Sequence, residues 1–184
     1  MIKKEYNLMM LLVIGSETIF FISLMLGYVM FWRSGHLPMS SKSLLNVKVT
    51  GAFTVLLVAS SFTFWMAERN YRKGEQKKLQ IWLFATIVLA VVFLFGQGHE
   101  YYSLLNKEVT LSSSVFGSNF FTLTGFHALH VIIGVVMLII LFILTLQNFF
   151  ERKTTLLSTI GIYWHFVDAV WLVVFTLIYV IPYL

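Results

Sequence analysis

A carboxylate stands near the middle of the last long apolar run of this chain, Gly161-Ile162-Tyr163-Trp164-His165-Phe166-Val167-Asp168-Ala169-Val170-Trp171. The run continues, with Thr176 as its one polar interruption, to Tyr179. A segment this long and this apolar predicts a membrane-spanning helix. An ionised aspartate at its centre costs roughly 2.5–3.5 kcal/mol on insertion scales, so the helix must offer it a protein environment. Helical spacing places Trp164, Asp168 and Trp171 on one face, at i, i+4 and i+7, with His165 one turn before Asp168. That face is expected to look into protein, not lipid.

The rest of the composition agrees with lipid as the solvent. Of the 184 residues, 59% are hydrophobic and 11% charged, more apolar surface than the interior of a soluble domain this size can bury. The absence of cysteine removes disulfides, thiolate metal sites and redox dithiols from consideration. The formal charge of +5 reads as basic residues gathered on cytoplasmic loops, with no nucleic acid partner implied. No cleavable signal peptide is expected, because no small-residue cleavage site follows the first apolar run.

Five spans are predicted, at about 8–32, 50–67, 79–104, 119–149 and 157–182. The expected fold is an all-α membrane protein, one domain formed by a bundle of five transmembrane helices over residues 1–184. The first span carries Glu17, roughly nine residues or ~13 Å into the helix, with Phe20, Phe21, Leu24 and Tyr28 at neighbouring helical positions. Ser16, Ser23 and Gly27 form a small-residue stripe on it, suited to close helix packing. The second span carries another such stripe, Ala59, Thr63 and Ala67. The third ends in Gly96-Gln97-Gly98-His99-Glu100-Tyr101-Tyr102, which reads as a helix end packed on a neighbour. The fourth places His127, His130 and Gly134 on one face.

Basic residues set the orientation. Nine of the thirteen lie at the amino terminus or in the second and fourth loops: Lys3, Lys4, Arg69, Arg72, Lys73, Lys77, Lys78, Arg152 and Lys153. Arg33, Lys42, Lys48 and Lys107 lie on the other side. The positive-inside rule therefore puts the amino terminus in the cytoplasm and the carboxyl terminus outside.

Four histidines at or inside the spans, His99, His127, His130 and His165, invite a haem or metal reading, since imidazole is the usual axial ligand. The competing reading makes them hydrogen-bonding groups of a packed bundle. His127 and His130, one turn apart, can chelate a single metal but cannot clamp opposite faces of one haem. Asp168 is expected to partner a histidine or tryptophan. For Glu17 two readings stand side by side, a packing polar group and a proton-linked carboxyl.

Four stretches, in this order, resemble subunit III of the haem-copper oxidases: Ser16-Glu17-Thr18-Ile19-Phe20-Phe21; Gln97-Gly98-His99-Glu100-Tyr101; Phe116 to Phe121 running into Thr124-Gly125-Phe126-His127-Ala128-Leu129-His130-Val131-Ile132-Ile133-Gly134; and Tyr163 to Trp171. Together they cover nearly the whole chain. The resemblance implies a subunit of cytochrome c oxidase type that performs no chemistry and binds no redox cofactor or metal itself. Haem and copper are then expected in partner subunits I and probably II, with structural phospholipid at the helices. It also implies that Glu17 matches a buried carboxyl near a proton-uptake route, and that Glu100, His127, His130, His165 and Asp168 match positions in a lipid-lined helix core.

The longest members of that family have seven helices, and this chain begins at what would be the third. By that resemblance, the two that complete a lipid cleft are expected to be missing. The segment from Leu156 to Gly161 also lacks the histidines and acidic residue found in some longer members. Five-helix forms imply a bacterial source and a place in the inner membrane. A quinol oxidase or nitric oxide reductase complex is the alternative within the resemblance. A small b-type cytochrome or a proton-coupled carrier are the alternatives outside it.

Overall fold

The computed structural model describes the backbone of residues 2–34, 45–147 and 154–183, and the side chains of 8–34, 45–147 and 156–182. The loop with Ser40, Ser41, Lys42 and Ser43, the turn with Glu151, Arg152 and Lys153, and the terminal Leu184 lie outside the described residues. The described residues form five long helices: α1 (Ile2–Arg33), α2 (Val47–Arg72), α3 (Gln76–Leu105), α4 (Val115–Leu146) and α5 (Thr154–Phe175). A wider π-type turn, Thr176–Val180, and a tight turn, Ile181–Tyr183, extend α5. Each of the five contains a stretch long and apolar enough to cross a membrane, so the chain is a multi-pass membrane protein.

Local chemistry sets the helix ends. Asn46 caps α2 by accepting from the Val49 N–H at 3.3 Å, and Ser114 caps α4 by accepting from Gly117 at 3.0 Å. Gly74, at φ +75°, turns the chain between α2 and α3 in a conformation that disfavours a side chain. The Glu75 N–H closes that turn by donating to the Asn70 carbonyl at 3.0 Å. Helix α3 carries the Gly96–Tyr102 segment in its last turns and runs to Leu105.

Helices α2 and α3 form the most extensively packed pair; α4 packs on α3, and α5 closes the group against both α4 and α2. Helix α1 lies outside these four and packs on α4 and α5. Glycines facing large aromatics make the close approaches. A Cβ on Gly96 would stand 2.5 Å from the Phe53 ring, and one on Gly161 would stand 2.6 Å from Phe64. The backbones come together only because these positions carry no side chain. Across α2 and α3, the hydroxyls of Thr63 and Thr86 meet at 2.8 Å, and Ala67 is fully buried, so the Ala59/Thr63/Ala67 stripe is an internal seam. The Ser16/Ser23/Gly27 stripe is not. Both serines are exposed and bond their own helix carbonyls, and nothing lies within 4 Å of a Cβ built on Gly27.

Large apolar side chains cover the outside, including Ile19, Met30, Val55, Ile81 and Phe95. A bundle with an apolar exterior is stable only in lipid or against another membrane protein.

Candidate functional site

Three sets of polar groups hold five of the six residues singled out in the sequence. The first joins α1 to α4. Glu17 projects from α1, and its Oε2 lies 3.0 Å from Nε2 of His130. The other ring nitrogen of His130, Nδ1, lies 2.7 Å from the Phe126 carbonyl one turn earlier. Tyr163 of α5 donates to the His130 carbonyl at 3.1 Å. The edge of Phe21 meets the imidazole, ring centroids 5.0 Å apart. The side chain of Glu17 keeps 31% of its surface exposed against 12% for His130, so the carboxyl is the outward member of the pair.

The second set lies between α2 and α5. Ser61 of α2 donates to Oδ2 of Asp168, and its Oγ also stands 2.9 Å from Nδ1 of His165. Trp164 and Trp171 flank this pair with their indole N–H groups aimed at α2: Trp164 donates to Ser60 at 3.2 Å and Trp171 to Thr54 at 3.0 Å. Both tryptophans are fully buried and Asp168 nearly so. The face predicted from i, i+4, i+7 spacing thus looks into protein. His165, in contrast, lies on the outer surface of the bundle.

The third set ties α3 to both α2 and α5. Glu100 receives a hydrogen bond from Thr50 at 2.9 Å on one oxygen and from Tyr179 at 2.6 Å on the other. Tyr179 sits in the π-type turn that extends α5. One turn of α3 away, Gly96 lines with Glu100, His99, Lys48 and Lys107 an open cavity of about 490 Å³.

His127 stands apart from all three. Its ring is fully buried, stacks on Trp171 with centroids 4.8 Å apart, and meets the edge of Phe93. Neither ring nitrogen has a hydrogen-bond partner among the described residues. His127 and His130 share a helix face in the sequence, yet one packs among aromatics and the other reaches α1. Among the described residues, no three of the histidines and carboxylates come together as a metal would need.

Sequence reasoning named Glu17, Glu100, His127, His130, His165 and Asp168 but not the hydroxyls that hold them. Ser61, Thr50, Tyr163 and Tyr179 carry no spacing signal, because each meets a partner on a different helix. The arrangement can anchor helices by buried hydrogen bonds, and in the first set it can hold a proton between a carboxylate and an imidazole.

Comparison with known proteins follows the same lines. The family model described as cytochrome c oxidase subunit III matches residues 1–183. The probable cytochrome c oxidase subunit 3 of Nocardia farcinica is 38% identical over 169 residues, covering 90% of this chain and 83% of that protein. Its counterpart in Mycobacterium leprae is 37% identical over 171 residues, covering 91% and 84%. The cytochrome c oxidase subunit 3 of Synechocystis is 33% identical over 139 residues, covering 74% of this chain and 58% of the relative.

Proposed function

The chain belongs to the cytochrome c oxidase subunit III family and is thereby a haem-copper oxidase subunit; from that premise we propose that it acts beside the catalytic subunit without performing chemistry itself. Subunit I, and subunit II with it, would hold the haem and copper. This chain would support their assembly, bind phospholipid along its apolar flanks and help sustain proton uptake. The names of the relatives favour cytochrome c over a quinol as the electron donor. Its place is the cytoplasmic membrane of a bacterium, with the amino terminus inside.

The observation that carries the proton-uptake reading is the Glu17–His130 pair. It places two proton-exchanging groups within hydrogen-bond distance in a membrane-spanning region, with the carboxyl as the outward member. Polar groups at such depth cost enough that a functional role is the default reading. Partly exposed Glu17 meets the partner or lipid directly, while His130 ties it to the body of the bundle.

The test is Glu17→Gln in the assembled oxidase. Glutamine keeps the shape and can still hydrogen bond, so the complex should assemble with an unchanged haem spectrum. Sustained turnover should fall, through a lower rate in alkaline assays or faster inactivation over repeated cycles. A variant that matches the parent in rate, pH profile and lifetime would reduce Glu17 to a packing residue.

A further inference from the structure

Of the six residues singled out in the sequence, His127 alone has no hydrogen-bond partner among the described residues, at either ring nitrogen. The ring is wholly inside the bundle, where an unpaired nitrogen forfeits the hydrogen bonds that water would give it. Its neighbours do not make good the loss. Trp171 lies against the face of the imidazole and has committed its one N–H to Thr54. Phe93, at the other contact, offers only carbon.

A second unpaired atom lies in the same part of the interface. Gln97 of α3 is 3% exposed, and its Oε1 has no partner among the described residues. Phe93, Gln97 and Tyr101 recur every fourth residue, on one face of α3. Phe93 meets His127, and the hydroxyl of Tyr101 lies 2.8 Å from that of Thr124. Gln97 therefore faces α4 at the level between Thr124 and His127, about 6 Å along the axis from Phe93. Side chains lean towards the start of their own helix. Because α3 and α4 run in opposite directions, Gln97 leans back towards Phe93 while His127 leans towards Thr124. The two polar ends converge.

Direct contact does not satisfy both groups, since a carboxamide that reached the ring would still leave one imidazole nitrogen unpaired. Water does, because each molecule both donates and accepts. Whichever ring nitrogen carries the proton, water can complement both nitrogens and donate to Oε1. A supply is at hand. The open cavity of about 490 Å³ reaches Gly96, the residue before Gln97.

We propose that α3 and α4 enclose a hydration site in which bound water joins the imidazole of His127 to the carboxamide of Gln97. The site supplies a polar tie between two direct ones. Tyr101 and Thr124 meet on one side of it, and on the other Gln76 and Gln80 donate to the Thr145 carbonyl at 2.9 and 3.1 Å.

A structure of the chain in its native complex, at a resolution that shows ordered water, is the direct test. Water is expected within about 3.2 Å of a His127 ring nitrogen and of the Gln97 amide. A dry contact between the two side chains would overturn the proposal, and so would ring nitrogens that meet no water. Unfolding equilibria of the purified chain in detergent give an independent reading. His127→Phe should raise the unfolded-to-folded ratio by about fivefold, the worth of one net hydrogen bond. At a dry site, removing unpaired nitrogens should leave the ratio level or lower it. Gln97→Met, which keeps the length of the side chain, should raise the ratio in the parent. In the His127→Phe background it should lower the ratio, because the phenyl ring leaves the amide without its bridging water. An equal rise in both backgrounds would mean that the two residues share no water, and the site would fall. Where His127→Phe yields no folded chain, the water positions decide alone.

Discussion

Gly134 of α4 sits directly beneath the indole of Trp164 of α5, so close that a Cβ would stand 2.7 Å from the ring. Trp164 cannot retreat, because its N–H is held by Ser60 of α2 on the far side. Gly134→Ala should therefore destabilise the purified chain by about 1–3 kcal/mol, the usual range for overpacking. Trp164→Leu alone should also destabilise, by leaving a cavity and stranding Ser60. Combined, the two should cost less than their sum, because the leucine vacates the space the new methyl needs. Unfolding midpoints in detergent for the parent, the two single variants and the double variant measure this; strict additivity would contradict the packing described.

Glu17 and His130 should be energetically coupled. In a double-mutant cycle with Glu17→Gln and His130→Phe, the coupling should be about 0.6 kcal/mol, the average for polar contacts between membrane helices, and no more than about 1.7. Unfolding free energies of the four chains give it directly. Zero coupling would mean that the 3.0 Å contact contributes nothing to holding α1.

Gly27 provides the opposite case to Gly134. With nothing within 4 Å of a built Cβ, Gly27→Leu should leave the stability of the isolated chain within about 0.5 kcal/mol of the parent. Recovery with the catalytic subunit should nevertheless drop if the Ser16/Ser23/Gly27 face is covered in the complex. Quantitative co-purification decides it: full recovery would leave that face to lipid.

The charge distribution supplies a topology test. Nine of thirteen basic residues lie on the amino-terminal side of the five spans, so a reporter fused after Leu184 should be active only if its enzyme works outside the cytoplasm. Activity from a cytoplasm-only reporter at that position would overturn the orientation.

Much of this architecture was legible in the sequence. Hydropathy marked five spans because in lipid every backbone group must be satisfied within its own helix, which makes each span a local property. The inward face of Trp164, Asp168 and Trp171 was legible for the same reason, since i, i+4, i+7 spacing belongs to one helix. The partners were not. The partner of Glu17 was hidden because His130 stands 113 positions further along the chain. His165 and Asp168, three residues apart and joined through one serine, end up on opposite sides of the surface boundary. Only the azimuth of α5 between α1 and α2 decides which is buried. Nor does any pattern assign Gly96 to Phe53, Gly134 to Trp164 and Gly161 to Phe64, since small-to-large matching depends on how helices are set against each other.

The position of α1 has a consequence for synthesis. Of the five helices it leaves the ribosome before the others, yet it packs on α4 and α5, which follow it. At about 5–20 residues per second, the 113 positions from Glu17 to His130 take roughly 6–23 s to make. Throughout that interval the carboxyl of Glu17 is in the membrane or its insertion machinery without its imidazole. Helices α2 and α3, joined by the tight turn at Gly74, can pair as soon as both have emerged. The order of manufacture is thus hairpin first, closure later, and α1 waits beside the nascent bundle until α4 and α5 supply its seat.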